Sequence, residues 1–224
     1  AGNDLETYMD IDNLLRYMAV HVFSVNEDSL SGTMAHNYYL YESDGKLSLI
    51  PWDYNLALGG MGGMGGGSGE TEESSGATSV VNSPIDDAFS GTDFFDTLLE
   101  NETYHSQYEA YLQQLVSEYI NGGGFDAFYE RVRSQIDELV EADPTAFYSY
   151  DEYETAAETL YQVVKLRGQS IQGQLDGTIP STEEAQRDSD ALIDASDLDV
   201  SVMGTMNMGG GEGKAPAKPQ NEGN

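Results

Sequence analysis

Apolar positions near the start of the chain follow the period of an α-helix. They recur every three or four residues, at Tyr8, Ile11, Leu15, Met18 and Val22. This spacing puts the apolar side chains on one face, so we predict a buried helix over residues 8–25. The polar run 26–29 and the Ser31-Gly32 pair predict that the helix ends in a loop.

Two short runs rich in aromatic and aliphatic residues come next, at residues 37–41 and 46–50. An Asp-Gly pair, Asp44-Gly45, lies between them, and such a pair is a strong signal for a β-hairpin. Pro51 has no backbone N–H to donate and so tends to end the second strand. Residues 52–55, with the sequence Trp-Asp-Tyr-Asn, are therefore expected at the open end of the hairpin.

The rest of the chain alternates between helical patterns and segments of low complexity. Residues 59–78 are rich first in Gly and Met and then in Glu, Ser and Thr, which predicts a mobile loop. Helical patterns follow over residues 93–100, 104–120, 125–140 and 150–175. We therefore predict one α+β domain over residues 1–178, with four helices packed beneath a single hairpin. Residues 179–224 show no sustained period, which predicts a disordered tail.

The charge of the chain limits the kinds of partner that it can bind. The 224 residues include 9 Lys or Arg and 40 Asp or Glu, which gives a formal net charge of −31. Nucleic acid would be repelled from such a surface, so nucleic-acid binding is excluded as an expectation. Basic protein segments and divalent cations would be attracted, although solubility or a salt-adapted host explains the same acidity.

Two further classes of protein are excluded by composition. There are no cysteines, so disulfide frameworks, thiolate metal sites and cysteine nucleophiles are ruled out. No stretch of the sequence approaches the roughly 18 apolar residues that a membrane span needs. We expect no membrane span.

Three side chains could carry chemistry together: Asp28, Asn37 and Asp53. Phosphoryl transfer needs a carboxylate to orient the substrate hydroxyl, and a second carboxylate with an amide oxygen to hold Mg²⁺. A hairpin brings its open ends together and would place Asn37 beside Asp53. Each residue also has an ordinary structural reading, as a helix-end cap, a turn residue and a hairpin-end cap respectively. The pair Trp52-Asp53 has a buried appearance that argues against a merely solvated charge.

The other candidate groups are weaker. We interpret His36 as a core histidine rather than a partner of the site. With His21 inside a helix and His105 near a helix start, the three histidines are scattered and make poor zinc ligands. The Gly/Met tract matches G-x-G-x-x-G but follows no βα unit, so it is not a phosphate cradle. The Asp-rich residues 188–199 lack the Gly and Glu of a calcium loop.

The motifs as a set resemble the spore coat protein H (CotH) kinase family. The resemblance rests on residues 26–29, 36–41, 50–55 and 92–96, and it continues through the helices to about residue 174. It implies a protein-kinase-like C-terminal lobe, mostly α-helical with one functional hairpin. It implies that Asp28 is the catalytic aspartate, Asp53 the metal aspartate and Asn37 the second metal ligand. ATP and Mg²⁺ would be the cofactors, and serines of spore coat, cell-surface or secreted proteins the substrates.

The resemblance also raises a difficulty. A kinase needs a Gly-rich loop and a lysine for the phosphates, supplied by an N-terminal lobe, but the only basic residue before Lys46 is Arg16. We expect that lobe to be absent from this chain and to lie upstream, which leaves the nucleotide-binding residues open. The alternatives are an inactive spore-coat or cell-surface interaction module with the same fold, and, more weakly, a calcium-dependent adhesive domain. The preferred substrate is expected to be a basic, serine-containing segment. The sequence does not indicate an oligomeric state.

Overall fold

A computed structural model describes residues 5–32, 34–60 and 76–204. The first element is a short helix, α1 (Leu5–Tyr8), and the second is α2 (Ile11–Ser24). Asp10 caps α2, since its side chain accepts a hydrogen bond from the Asn13 N–H. The sequence predicted one helix from residue 8, and the Asp10 cap explains why α2 begins later, at Ile11.

The predicted hairpin is present. Strands β1 (Tyr38–Ser43) and β2 (Lys46–Pro51) pair antiparallel, with Tyr38 opposite Pro51 and Ser43 opposite Lys46. Both turn residues have positive φ, 53° at Asp44 and 81° at Gly45, as the two-residue hairpin turn requires.

Helix α2 holds the hairpin in a fixed register. The Asn13 side chain donates to the Leu49 carbonyl at 3.1 Å and accepts from the Leu49 N–H at 2.7 Å. The Asp10 N–H donates to the Leu47 carbonyl at 2.9 Å. Leu49 itself is buried in the core. The hairpin is therefore attached to the body mainly through β2, with Tyr38 of β1 also packed against the core, and its position follows that of α2.

The remaining elements are mostly helical. They are α3 (Ala77–Asn82), α4 (Asp93–Leu99), α5 (Glu102–Gln114) with a π-helical continuation (Leu115–Ile120), α6 (Gly124–Ala142), α7 (Tyr150–Leu175), α8 (Glu183–Gln186) and a 3-10 turn (Val200–Met203). The four helices that periodicity predicts correspond to α4, α5 with its continuation, α6 and α7. The described residues therefore form an α+β arrangement that is mostly helical with one two-stranded sheet. None of the described helices is both long and apolar enough to cross a membrane.

Two clusters of buried residues form the core. The first joins α2 and Leu49 to α4, α5 and Ile171 of α7. The second joins Leu58 and α3 to the start of α6, the middle of α7 and the segment that ends in Val200.

Buried Arg167 of α7 lies where the ends of α2 and α3 meet. Its guanidinium donates to four backbone carbonyls, those of Val22, Phe23, Val81 and Ser83. Burial lowers the pKa of Arg167 to about 10. Its hydrogen bonds satisfy carbonyls that end helices, which ties the loop after α2 to the body.

The predicted disordered tail is wrong for residues 179–204. Ile179, Ala195 and Val200 are buried, and the Asn82 side chain bonds to both the N–H and the carbonyl of Ile193. These contacts join residues 111 positions apart, so no local pattern in the sequence would have shown them. Residues 205–224 of the predicted tail lie outside the described residues.

The predicted mobile loop over residues 59–78 is also wrong at its end. Residues 77 and 78 belong to α3, where Ala77 is buried. Residues 59 and 60 lie in a turn that follows buried Leu58. Residues 61–75, which make up most of the predicted loop, lie outside the described residues.

Candidate functional site

The loop that carries Asp28 leaves α2 through a left-handed residue. Val25 has φ 47° and its N–H donates to the carbonyls of His21 and Val22, which closes the helix. Asn26 is fully buried, and its side-chain oxygen accepts the Asp28 N–H at 3.2 Å. The backbone of Asp28 is thus fixed by a residue that is itself packed in the core.

A buried polar network supports this loop from below. The Tyr17 hydroxyl accepts from the Ser31 N–H at 3.0 Å and bonds to the hydroxyls of Ser29 and Ser31 at 3.1 and 2.7 Å. Ser29 also bonds to Nδ1 of His21 at 2.7 Å. Burial lowers the pKa of His21 to about 4, so the imidazole is neutral near pH 7.

Gly32 allows the loop to fold back on itself. A Cβ at this position would lie 2.1 Å from the Glu27 carbonyl oxygen, closer than any side chain can approach. The close approach of Gly32 to Glu27, the residue before Asp28, therefore requires glycine.

The side chains of Asp28 and Asn37 meet. The Asn37 Nδ2 donates to the Asp28 carboxylate at 2.8 Å and to the Asp28 carbonyl at 2.9 Å. Both partners are acceptors only, so the amide must present its NH₂ end to them, and Oδ1 is left for other ligands. Asn37 thereby fixes the orientation of the Asp28 carboxylate.

The hairpin brings Asp53 to the same end of the sheet. The Trp52 N–H donates to the Asn37 carbonyl at 3.0 Å, one step beyond the last strand pair, so Asp53 directly follows a residue paired with Asn37. Among the described residues, the Asp53 carboxylate makes no hydrogen bond or ion pair. The backbone at Asn37 and at Asp53 is therefore close together, as predicted. Of these two residues, only Asn37 contacts Asp28 through its side chain.

Asn37 and Asp53 both have a left-handed backbone conformation. Asn37 and Asp53 have φ 57° and 58°, in the left-handed region that Asn and Asp tolerate better than most residues. Left-handed residues that are not glycine often mark functional sites, because the surrounding fold must hold them there.

An exposed aromatic surface borders the site. Tyr39 and Trp52 stack with their ring centroids 6.1 Å apart, and both are about half exposed. Tyr41 and Ile50 are on the same outer face of the hairpin, because residues two apart and directly paired residues share a face. The prediction that Trp52-Asp53 is buried is wrong: both residues are exposed, since they extend past the last strand pair of a hairpin whose inner face alone meets the core.

The family follows from a comparison of sequences. A family model described as CotH kinase protein matches residues 1–171. The chain belongs to the CotH kinase family. The match includes Asp28, Asn37, Asp53 and every described element up to most of α7. No curated protein and no solved structure gives a match.

Membership of the CotH kinase family indicates a kinase-like function. The segment over residues 179–204, which packs on α3 and α7, lies beyond the part that the CotH model matches.

His36 has a different place from the one predicted. Its ring is 64% exposed, and Nδ1 lies 3.8 Å from Oδ1 of Asp28. It is therefore a neighbour of the candidate CotH site and not a core histidine. The sequence could have indicated this place, because His36 directly precedes Asn37, and the hydrogen bonds of Asn37 bring residue 36 close to Asp28.

Sequence reasoning missed a second group of titratable side chains in this CotH-family chain. Nε2 of His105 lies 3.5 Å from Asp86, and Nδ1 lies 3.7 Å from Glu109. His105 and Glu109 are four apart on α5, and that spacing was visible in the sequence. Asp86 comes from a distant loop. The three histidines were expected to be scattered, whereas His105 lies between the carboxylates of Asp86 and Glu109.

Proposed function

We propose that this chain carries the catalytic centre of a protein serine/threonine kinase that uses ATP and Mg²⁺, built on a protein-kinase-like C-terminal lobe. Family membership supports a kinase-like function. The observation that carries the finer proposal is the Asn37–Asp28 contact, made at the hairpin end from which Asp53 emerges. Two carboxylates and an amide oxygen at one end of a rigid hairpin are the groups that phosphoryl transfer requires.

Asp28 is the group that acts on the substrate hydroxyl in this proposal. Its side chain is 13% exposed, so the carboxylate is largely withdrawn from solvent but can be reached from one side. One oxygen accepts from Asn37 and the other faces His36. A carboxylate held in one orientation can align a serine or threonine hydroxyl and take up its proton.

Asn37 and Asp53 fit the metal role by their donor chemistry. Mg²⁺ prefers oxygen ligands, and the free donors here are Oδ1 of Asn37 and the carboxylate of Asp53. Bound Mg²⁺ would offset negative charge on the transferring phosphate. Two buried polar atoms close by in sequence, Nδ2 of Asn26 and the Tyr54 hydroxyl, have no hydrogen-bond partner among the described residues. Burial raises the pKa of Tyr54 to about 12, so it stays a neutral donor.

The substrate proposed is a basic, serine-containing segment of a spore coat, cell-surface or secreted protein. The support for the basic character is the net charge of −31, which attracts Lys-rich and Arg-rich segments and repels acidic ones. An extracellular, cell-surface or spore-coat location is proposed from the resemblance described above.

Transfer of labelled γ-phosphate from ATP to a Ser peptide flanked by Lys and Arg, measured with the N-terminal lobe expected above present, tests the proposal. Asp28→Asn and Asp53→Asn should each lower the rate at least about 100-fold, because each removes a charge acting on the transition state. Asp44→Asn is the matched control: Asp44 is in the exposed hairpin turn with φ 53°, which Asn also adopts. Near-native rates in both site variants would overturn the roles given to these residues. No transfer by the native protein with that lobe present would favour the inactive interaction module instead.

Trp52 offers a second measurement at the same site. It is the only tryptophan of the chain, it stacks on Tyr39, and it directly precedes Asp53. Its fluorescence should therefore change when Mg²⁺ is added to the native chain and should stay constant when Mg²⁺ is added to Asp53→Asn. An equal change in both proteins would mean that Asp53 takes no part in binding.

A further inference from the structure

Helices α6 and α7 form an arm whose outer part carries no buried residue. Phe125 at the start of α6 is buried, and the next buried residue along the chain is Thr159 in α7. At 1.5 Å per residue, the part of α6 beyond Phe125 is about 25 Å long. The arm therefore contributes little to the core, and its sequence is free to serve another purpose.

Polar and aromatic contacts tie the two helices of the arm together. Within α6, Nε of Arg133 donates to both oxygens of Asp137 at 2.7 and 2.9 Å, and the hydroxyl of Tyr153 on α7 donates to the same carboxylate at 2.7 Å. The rings of Tyr129 and Tyr161 lie 4.9 Å apart. The Arg133 guanidinium lowers the pKa of Asp137, so this link is ionised at neutral pH. The arm is consequently a braced pair of helices.

The loop at the end of the arm is fixed on both sides. The Asp143 carboxylate accepts from the N–H and the hydroxyl of Thr145 at 2.8 and 2.7 Å. Ser149 and Glu152 form a reciprocal capping box at the start of α7. The two residues before this box, Phe147 and Tyr148, are 83% and 68% exposed. Their backbone is held in place, so little ordering would be lost when a partner covers them.

A third apolar side chain lies at the same end of the arm. Leu139, one turn before the end of α6, is 69% exposed. Exposed apolar side chains that form a patch mark an interaction surface, whereas single exposed ones are ordinary. We call Leu139, Phe147 and Tyr148, with the acidic residues around them, the arm tip.

The charge around the arm tip decides the kind of partner. Between Arg133 and Lys165 the chain has no Lys, Arg or His, and it has eight acidic residues: Asp137, Glu138, Glu141, Asp143, Asp151, Glu152, Glu154 and Glu158. A second copy of this chain would bring an equally acidic tip, and an anionic lipid surface would be repelled. A partner with basic residues around apolar ones is complementary in both respects.

We propose that the arm tip is a docking site for a basic amphipathic segment of another protein. Leu139, Phe147 and Tyr148 contact its apolar face, and the surrounding carboxylates face its Lys and Arg side chains. This surface is separate from the Asp28 site, and the inference does not depend on phosphoryl transfer.

Binding of a fluorescein-labelled helical peptide of Leu and Lys to the full chain, followed by anisotropy, tests the docking site. The double variant Leu139→Ala/Phe147→Ala should bind at least about tenfold more weakly, because a few anchor side chains carry most of the binding energy of such contacts. Phe94→Ala is the control, since Phe94 is 45% exposed on α4, away from the arm. Circular dichroism confirms that the variants stay folded.

The charge component has its own matched pair. Glu138→Gln/Glu141→Gln should weaken binding several-fold and flatten its dependence on salt, whereas Glu183→Gln/Glu184→Gln on α8 should change neither. The proposal is overturned if the native chain does not bind the peptide, if the Leu139/Phe147 variant binds as the native chain does, or if a Leu/Gln peptide binds equally well. Elution of the native chain as a dimer that Leu139→Ala/Phe147→Ala converts to monomer would assign the tip to self-association instead.

Discussion

At the scale of single residues, the orientation of Asp28 depends on Asn37 as much as on its own loop. The Asn37 amide donates to both the carboxylate and the carbonyl of Asp28, so it holds the side chain and the backbone of Asp28 together. An aspartate in place of Asn37 would set two carboxylates against each other, and an alanine would lose the contact and tolerate φ 57° less well. The amide therefore has a structural role besides its proposed role as a metal ligand.

His21 gives the protein a defined dependence of stability on pH. Burial lowers its pKa in the folded chain to about 4, against an ordinary value of 6.5, so the unfolded chain binds the extra proton between these values. Stability from this group is therefore complete above about pH 6.5 and is lost as the pH falls towards 4. As the pH is lowered from 7 to 5, the free energy of unfolding measured with urea should fall by up to about 1.4 kcal/mol per pH unit.

Variants at two histidines separate this effect from general acid titration. His21→Gln should be less stable than the native chain at pH 7 and should lose most of the slope, whereas His105→Gln on the surface of α5 should keep it. A slope that survives in His21→Gln would show that another group is responsible.

At the scale of elements, the C-terminal segment is part of the folded domain. The 3-10 turn places Val200 in the same cluster as Leu58, which follows the Trp52-Asp53 pair, and as Val80 and Val81 of α3. The segment therefore joins the chain after the candidate site to the helix that begins at Ala77. Its contacts are with residues far away in sequence, and no element within it is longer than four residues.

Two valines on one turn test the role of this segment. Val200 is 8% exposed and Val202 is 38% exposed, on the same 3-10 turn. Val200→Asp should lower the free energy of unfolding by roughly 2–4 kcal/mol, because a carboxylate would be placed in an apolar cluster. Val202→Asp should change it by less than about 0.5 kcal/mol. Denaturant unfolding measures both, and equal stability of the two variants would mean that residues 179–204 do not pack as described.

The same elements show what the sequence could and could not predict. Helices α2 and α5 to α7 were predictable because each repeats a local period over many residues, and the hairpin was predictable because an Asp-Gly pair separates its two strands. Helix α3 was not, since six residues, Ala77–Asn82, are too few to show a period, and tertiary contacts stabilise it.

The sequence predicted which residues of the candidate site lie close together, but it did not predict the hydrogen bonds between them. A hairpin must bring residues 37 and 53 together, but the hydrogen bonds from Asn37 to Asp28 depend on the left-handed backbone at Asn37. The exposure of His36 and Trp52 likewise depends on which face of the hairpin meets α2. Such choices are made by packing between distant segments, which a single sequence does not record.

At the scale of the whole molecule, the acidic charge opposes folding as it attracts basic partners. Of the 40 acidic residues, 34 lie in the described ranges, together with 7 of the 9 basic residues. The ion pairs among the described residues are few, and several are between exposed neighbours on one helix, such as Arg16–Asp12 and Arg187–Glu183. Exposed pairs of this kind add little to stability. Repulsion between like charges therefore outweighs attraction over most of the surface.

Salt should consequently stabilise the fold and weaken docking at the arm tip. Between about 0.01 M and 0.1 M NaCl the screening length falls from about 30 Å to about 10 Å, which removes much of the long-range repulsion. The melting temperature should rise over this range while the affinity for the Leu/Lys peptide falls, so one variable moves the two quantities in opposite directions. Choline chloride at equal ionic strength should give the same rise, because screening does not depend on the identity of the cation. A melting temperature that stays constant or falls with salt would mean that the ion pairs, and not the excess of carboxylates, dominate the electrostatics of this protein.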